Sequence, residues 1–397
     1  MNEIFLTSVA EPDANGCSIR AMNLPFHTAA VSVLTAAYIV IFPVALSANI
    51  FLIFIIFKRP TMKTTINYLF ANMAAANLLV AVFVIPYEVR YLFAADAWFG
   101  GVIGQISCRL VHFAHAVSIA GSILSLTAIS LDQFYAILFP MKRIAVIRNA
   151  RFITIAIWIS SVIFMSPYLA MYGVREMAGQ QQCVYIVLDH IIMEFHFSFK
   201  FVFFYAFPLA FMGTLYILIA RKLWFRTIAG NIHSIHRKAA ELSKRRIIRM
   251  LIIVIATFAL CWLPVHVFNM CAAFKSHLTR NIASYWSPLI VFIGHANSAL
   301  NPCLEIALNR KFRAEFFKLL AACRTFSMWC FRKRSEHRGV RDSQRKVRKI
   351  ESVENIKDRI AMQRGRLYDL SNQGKTLQSC PISLVQFSYY NNVEIES

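Results

Sequence analysis

Cysteine, histidine, serine and glutamine side chains recur along one apolar stretch, residues 104–140, at the three- and four-residue spacing of an α-helix. The polar positions are Cys108, His112, His115, Ser122 and Gln133. On a helix this apolar, such side chains turn towards other helices or a water-filled cavity, because contact with lipid is costly. The pattern therefore indicates hydrogen bonding and binding inside a bundle of membrane helices, with this helix at its centre.

Catalytic and metal chemistry find little support in the sequence. His266 and His295 lie in two other apolar stretches, and together with His112 and His115 they lack the Cys/His spacing of a metal site. The chain has no G-x-S-x-G, no H-E-x-x-H and no glycine-rich phosphate loop. We therefore expect no enzyme, no metal and no cofactor. A transporter is disfavoured as well, because the first three apolar stretches do not repeat in the last four.

The composition is that of a chain that crosses a membrane several times. Of its 397 residues 58% are hydrophobic and 16% are charged, whereas soluble domains carry about a quarter charged residues. The net charge of +22 could suggest a nucleic-acid partner, but the basic residues fall in alternate loops and the tail. We predict an all-α membrane protein, a seven-transmembrane helix bundle with spans at 33–57, 67–93, 104–140, 151–172, 194–224, 243–270 and 283–308.

Basic residues also predict the orientation of the bundle. They concentrate in loops 57–66, 140–151 and 221–246, and loops rich in lysine and arginine face the cytoplasm. We therefore expect an extracellular N-terminus over residues 1–32 and the helix bundle over 33–308. An amphipathic helix on the inner leaflet should follow at 309–326, because its aromatic and aliphatic residues share one face. Residues 327–397 are polar and should form a mostly disordered cytoplasmic tail.

Polar residues and prolines mark each apolar stretch at a particular depth. With the apolar residues that accompany them, these positions are Asn49; Asn67, Leu69, Asn72 and Ala76; Cys108; Trp158 and Pro167; Pro208 and Tyr216; Phe258, Cys261, Trp262 and Pro264; Asn297, Ser298, Asn301 and Pro302; and Phe312. In this order, over residues 33–326, they resemble the rhodopsin-like (class A) G-protein-coupled receptors. The outer loop at 172–185 and the stretch Trp98-Phe99-Gly100 resemble the peptide and neuropeptide branch of that family. The resemblance implies a plasma-membrane receptor whose sixth helix swings outward and opens a groove for a heterotrimeric G protein. Pro264 would be its pivot, with Phe258 and Trp262 as the hinge packing.

The cysteines of the outer side suggest one disulfide. Cys108 opens the third span and Cys183 lies in the following outer loop, where oxidising conditions favour a bridge over two unpaired thiols. Cys17 and Cys271 also face outward and could pair. On the inner side, Cys323 and Cys330 could carry palmitoyl anchors or remain free thiols.

Three residues depart from the family pattern. Asn77 stands where relatives usually carry Asp, Gln133 where they carry Arg, and Glu305 where they carry Tyr. The resemblance implies that switching and G-protein coupling involve ten positions: Asn77, Asp132, Gln133, Tyr216, Phe258, Trp262, Pro264, Asn301, Pro302 and Glu305. Without the arginine, Asp132 either pairs with the loop at 142–143 or is protonated.

Glu305 can be interpreted in two ways. It is either an intramembrane acid that hydrogen-bonds to Gln133, or a surface acid that reaches the inner interface or pairs with Arg310. The departures leave open an alternative function, that of an atypical non-signalling, scavenger or heteromer-partner receptor.

A set of polar residues should line the outer cavity and contact the ligand: Tyr87, Glu88, Arg90, His112, His115, Lys200, His266, Asn269 and His295. For each of them a contact between helices is the alternative. His115 stands where amine receptors carry Asp and His295 where opsins carry Lys, so neither an amine nor retinal is expected. Both charge signs in one cavity favour a peptide. The expected partners are an extracellular peptide, a heterotrimeric G protein, the bilayer, and arrestin and a receptor kinase at the tail, but no nucleic acid.

Overall fold

Helices make up almost all of the computed structural model, which describes residues 24–139, 149–177, 179–187, 189–224, 234–274 and 276–372. The first four helices are α1 (Leu24–Lys58), α2 (Thr65–Leu79, the π-helical segment Val80–Val84 and Ile85–Ala94), α3 (Gly101–Leu138) and α4 (Ala150–Met165 with the short turn Tyr168–Met171). They are followed by α5 (His190–Phe201, the π-helical segment Val202–Ala206 and Phe207–Trp224), α6 (Ser234–Phe274), α7 (Ser276–Leu308) and α8 (Arg310–Asn372).

Helix α3 lies in the middle and packs against α2, α4 and α5. Its inward face is fully buried at Leu126 and Ile129. Small residues let α2 and α3 approach closely, as expected where helices associate by packing rather than by exclusion of water. The Oγ of Ser118 donates to the backbone oxygen of Ala76 at 2.7 Å. This central position agrees with the polar stripe in the sequence.

Buried amides connect the helices to one another. The amide of Asn72 donates to Ser125 Oγ at 2.8 Å, and its oxygen accepts from Trp158 Nε1 at 2.6 Å, so that one side chain joins α2, α3 and α4. Asn49 donates to the backbone oxygen of Ser298 at 2.9 Å and thereby joins α1 to α7. Buried polar groups require such partners, and these bonds explain why Asn and Trp recur at fixed depths in the sequence.

A β-hairpin covers part of the end of α3 that is predicted to face the outside, the outer end. Strands β1 (Tyr172–Met177) and β2 (Gln180–Tyr185) are antiparallel, with Val174 opposite Cys183. The sequence indicated only a loop here. The predicted Cys108–Cys183 disulfide is present and ties β2 to α3. The backbone N–H of Cys183 also donates to the oxygen of Asp96 at 2.9 Å. Cys17 lies outside the described residues, so its pairing with Cys271 remains a prediction.

Six of the described helices are long and apolar enough to cross a membrane, and the predicted spans match them closely. The seventh, α7, is equally long but less apolar because it carries buried polar residues such as Asn297, Asn301 and Glu305. The observed starts differ most at α1, α6 and α7, which begin at Leu24, Ser234 and Ser276 rather than at 33, 243 and 283. The first turns of α6 and α7 are polar, so hydropathy does not reveal them.

The first turns of α8 pack on the bundle. The ring of Phe312 is fully buried and lies 6.1 Å from that of Phe70. Glu315 forms ion pairs with Arg59 at 3.0 Å and with Lys318 at 2.8 Å. The compact unit that contains the bundle ends at Lys318.

Residues from 319 onward belong to a second unit, in which α8 continues as one helix to Asn372. The amphipathic helix expected to end at residue 326 is therefore longer, and the stretch from 327 to 372, expected to be mostly disordered, is helical. Arginine, lysine, glutamate and glutamine favour helix, and residues 319–372 contain no proline. The side chains of Cys323 and Cys330 and all of residues 373–397 lie outside the described part, so the lipidation sites remain predictions.

Candidate functional site

The outer half of the bundle holds a cluster of aromatic and imidazole rings. The ring of His112, on α3, stacks on that of Tyr172 with centroids 3.7 Å apart. The ring of Tyr87 contacts the His112 ring edge-on, with centroids 5.2 Å apart. The Nε2 atom of His112 is buried and has no hydrogen-bond partner among the described residues. Although its ring nitrogens lie near Cys108 and Cys183, the two sulfurs are bonded to each other and do not offer thiolates to a metal.

Deeper in the bundle, a hydrogen-bonded chain joins three helices. His115 Nε2 and His295 Nε2 are 3.2 Å apart, and His295 Nδ1 lies 3.1 Å from the hydroxyl of Tyr38. Two proton orders satisfy both contacts. Either the Tyr38 hydroxyl donates to Nδ1 of His295 and Nε2 of His295 donates to His115, or His115 donates to Nε2 of His295 and Nδ1 donates to the Tyr38 hydroxyl oxygen. The ring of His115 lies 5.8 Å from that of Trp262. The two predicted ligand residues therefore also bind each other, next to the expected hinge.

The acidic side of the site lies at the outer ends of α2 and the loop that follows. Glu88 is half-buried and within electrostatic reach of Asp96, which is 8% exposed. Burial raises the pKa of Asp96 to about 7, because a low dielectric disfavours the charged carboxylate. The guanidinium of Arg90 lies 4.6 Å above the ring of Trp98, a cation–π contact.

The basic side lies between α5, α6 and the end of α4. Lys200 is 8% exposed and its Nζ donates to the hydroxyl of Tyr168 at 2.8 Å. His266, on α6, is 2% exposed and packs on the ring of Tyr205 at 4.5 Å. Asn269 is half-buried one turn further out on α6.

The nine predicted ligand residues thus fall into three groups. Tyr87, Glu88, Arg90 and His112 lie at the outer ends of α2 and α3; His115 and His295 lie deep; Lys200, His266 and Asn269 lie on α5 and α6. Whether they contact a ligand remains a prediction.

The site also contains residues that the predicted set lacks: Tyr38, Asp96, Tyr168, Tyr172 and His196. Only His196 left a usable signal, because it lies four residues before Lys200 and so on the same face of α5.

The hinge region is tightly packed around Trp262. A methyl group on Gly294 would lie 3.1 Å from the indole Cζ3 and 3.1 Å from Val265 Cγ2, so the absence of a side chain at residue 294 lets α7 approach α6 closely here. The ring of Phe258 lies 6.2 Å from that of Trp262. The indole Nε1 is buried without a hydrogen-bond partner among the described residues. Pro264 follows inside the same helix and removes a backbone donor there.

The inner half of the bundle contains Gln133 and Glu305, two of the residues that depart from the family pattern. Gln133 donates to the neighbouring Asp132 at 3.2 Å. Glu305 is 1% exposed, and its Oε2 has no partner in the part of the chain that the structure describes. Glu305 is therefore not the surface acid of the second interpretation. The predicted hydrogen bond between Glu305 and Gln133 is not formed directly, since the side-chain amide of Gln133 donates to Asp132 instead. The loop at 142–143, the other expected partner of Asp132, lies outside the described residues.

The remaining switch residues have local partners. Tyr216 lies 3.3 Å from Ser130 Oγ. Asn301 and Asn297 bond to each other one turn apart on α7, at 2.9 Å. Asn77 donates to the side-chain oxygen of Asn49 at 3.3 Å.

Comparison with known proteins places these features in context. The family described as 7 transmembrane receptor (rhodopsin family) matches residues 48–304. A QRFP-like peptide receptor of Branchiostoma floridae is 28% identical over 303 residues, which cover 71% of this chain and 76% of that protein. A bombesin receptor of Bombina orientalis is 28% identical over 311 residues, or 74% of this chain and 78% of its own length. The neuromedin-K receptor of Rattus norvegicus is 28% identical over 303 residues, which cover 74% of this chain and 64% of the receptor.

Proposed function

The chain belongs to the rhodopsin family of seven-transmembrane receptors, and from this premise we propose that it is a plasma-membrane receptor for an extracellular peptide that activates a heterotrimeric G protein. One observation carries the proposal: the relatives with which the chain aligns over about three quarters of its length are receptors for peptides by name. The family is one of receptors rather than enzymes, so the absence of catalytic motifs in the sequence is consistent with it.

The charge distribution of the outer site supports a peptide ligand. Glu88 and Asp96 lie on one side, and Lys200 lies on the other, between α4 and α5. A peptide can present groups of both signs across such a distance, and charge complementarity fixes its register.

Signal transfer follows from the position of the deep residues. A ligand that reaches His115 contacts the layer directly above Trp262. Because Trp262 is packed against Gly294 and Phe258, its displacement has to be absorbed by movement of α6 about Pro264. That movement would open the inner groove for the G protein. In this chain the groove contains Gln133 and Glu305 in place of the arginine and tyrosine of relatives.

The orientation and the cytoplasmic contacts belong to the same proposal. The basic loops argue for an extracellular N-terminus and a cytoplasmic α8. The apolar side chains of Phe317, Leu319 and Leu320 are exposed near the start of α8, as expected for a helix on the inner leaflet. Palmitoyl groups at Cys323 or Cys330 would strengthen this attachment, and arrestin and a receptor kinase would act on the tail. The alternative of a non-signalling receptor gains no support from the comparisons.

A peptide screen tests the proposal. Cells that display the chain are exposed to a library of secreted peptides, and G-protein dissociation is measured together with arrestin recruitment. For an active peptide, we expect Glu88→Lys to weaken activation by about ten-fold or more, because the new lysine repels the positive group of the peptide that Glu88 would attract. The matched control is Glu176→Lys, the same charge change at an exposed position of β1. Activation that is equal in Glu88→Lys and the control would contradict the assigned acidic side.

A further inference from the structure

Lys200 is a buried cation without a carboxylate partner among the described residues. Its side chain is enclosed by the rings of Tyr168 and Phe197, whose centroids lie 5.5 and 5.6 Å from Nζ. The hydroxyl of Tyr168 accepts one hydrogen bond from Nζ at 2.8 Å. An ammonium group can donate three hydrogen bonds. A buried charge that lacks a counter-charge is costly, so this site is incomplete without an anion.

Two imidazoles with unused hydrogen-bonding atoms lie within electrostatic reach of this cation. His196 precedes Lys200 by one turn of α5 and is 7% exposed, and His266 is on α6 and is 2% exposed. The charge of Lys200 acts on both rings. The Nε2 atom of each is buried and has no hydrogen-bond partner in the described structure. In natural structures, nearly all buried polar atoms are paired.

Neighbouring rings hold both imidazoles in place. The ring of Tyr168 lies 5.0 Å from that of His196, and the rings of Tyr205 and Phe201 lie 4.5 and 5.9 Å from that of His266. Fixed rings do not have to reorganise to bind a ligand, so less affinity is lost to ordering side chains.

We propose that Lys200, His196 and His266 form an anion subsite that binds a carboxylate of the ligand. The inference rests on the proposed peptide receptor and specifies the chemistry of one part of its site. One ammonium and two imidazole N–H donors match a singly charged, planar carboxylate, which offers two oxygens and about four acceptor positions. The carboxylate can come from the C-terminus of a peptide or from an Asp or Glu side chain.

Three small probes test the subsite and distinguish the two sources. They are N-acetyl-phenylalanine, its amide, and N-acetyl-aspartyl-phenylalanine amide, which carry a terminal carboxylate, no carboxylate and a side-chain carboxylate, respectively. Thermal unfolding of the purified full chain in lipid nanodiscs reports binding of each probe. We expect at least one acidic probe to stabilise the parent at a ten-fold or more lower concentration than the amide. A preference for N-acetyl-phenylalanine identifies the peptide C-terminus as the source of the carboxylate, and a preference for N-acetyl-aspartyl-phenylalanine amide identifies an acidic side chain.

The variant Lys200→Met removes the charge but keeps the length of the side chain, and it should abolish this preference. Because it replaces an unpaired buried charge with an apolar group, it should not destabilise the empty protein. His266→Phe is a second variant, which should reduce the preference. Lys222→Gln, at an exposed position on the inner end of α5, is the control that leaves it unchanged.

The proposal is overturned if neither acidic probe is preferred to the amide in the parent, or if the preference persists in Lys200→Met. Unfolding does not require a G protein. If an acidic probe is preferred but the peptide screen finds no G-protein response, the proposed function is refuted and the subsite stands.

Discussion

Removal of the Cys108–Cys183 disulfide should lower the stability of the receptor and weaken ligand binding. The bridge closes a loop between residues 75 positions apart, for which loop-closure entropy gives about 4.5 kcal/mol in a chain that unfolds completely. The helices between the two cysteines, most of α3 and all of α4, stay in the membrane when the bundle unfolds, so we expect the lower range of about 2–4 kcal/mol. In a thermal scan this corresponds to a fall in midpoint of roughly 5–15 °C.

The hairpin should stay partly attached without the bridge. The N–H of Cys183 donates to Asp96, and Gln105 bonds to both backbone groups of Val174 at 2.7 and 3.1 Å. We therefore expect the variant with alanine at both cysteines to fold at reduced surface level and to bind agonist more weakly.

The assay compares the unfolding midpoint and surface display of this variant with those of Cys303→Ser, which changes an exposed free cysteine. A midpoint within about 2 °C of the control would refute the entropic reasoning.

Three further predictions concern polar and acidic residues of the bundle and its outer loop. Sodium should not lower agonist affinity relative to potassium, because the amide of Asn77 is a poor cation ligand; Asn77→Asp should introduce the effect, and sodium sensitivity of the parent would contradict this. The double change Gln133→Arg with Glu305→Tyr should raise G-protein activation at matched surface expression; activation at the parent level, with a parent that already couples well, would show that these positions are not the switch. The carboxyl of Asp96 has a pKa of about 7 in the folded state, above its ordinary 3.8, so the folded form binds more protons and stability falls as pH rises from about 4 to about 7. Asp96→Asn should flatten this dependence of the unfolding midpoint, and an unchanged slope would contradict the assignment.

The bundle could be predicted from the sequence because its signals are local. Apolar stretches long enough to cross a bilayer and basic loops between them are visible without knowledge of contacts. The polar positions such as Asn72 and Trp158 could also be recognised, since each has a fixed depth in its helix. The disulfide followed from the placement of two cysteines on the side that the basic loops predict to be extracellular and therefore oxidising.

The pairing of side chains within the site could not be predicted. The bond between Lys200 and Tyr168 joins two helices, and the chain from Tyr38 through His295 to His115 joins three. Such contacts depend on how each helix is rotated, which hydropathy does not determine. The two π-helical segments, at Val80–Val84 and Val202–Ala206, add to this uncertainty because each shifts the face that a helix presents.

The inner half shows a similar limit. The sequence identified Gln133 and Glu305 as unusual, and it suggested a hydrogen bond between them. The structure instead directs the amide of Gln133 to Asp132, its neighbour in the chain, and leaves one oxygen of Glu305 without a described partner. A buried acceptor in this position can be satisfied by water or by a group of the G protein once α6 has moved.

The most direct test of the receptor assignment is nucleotide exchange on a purified heterotrimeric G protein by the full chain in lipid nanodiscs, with and without an active peptide from the screen. We predict that the peptide accelerates exchange on at least one class of G protein, even though Gln133 and Glu305 replace the usual arginine and tyrosine. Peptide binding that leaves exchange on every class at the rate of empty nanodiscs would contradict the account.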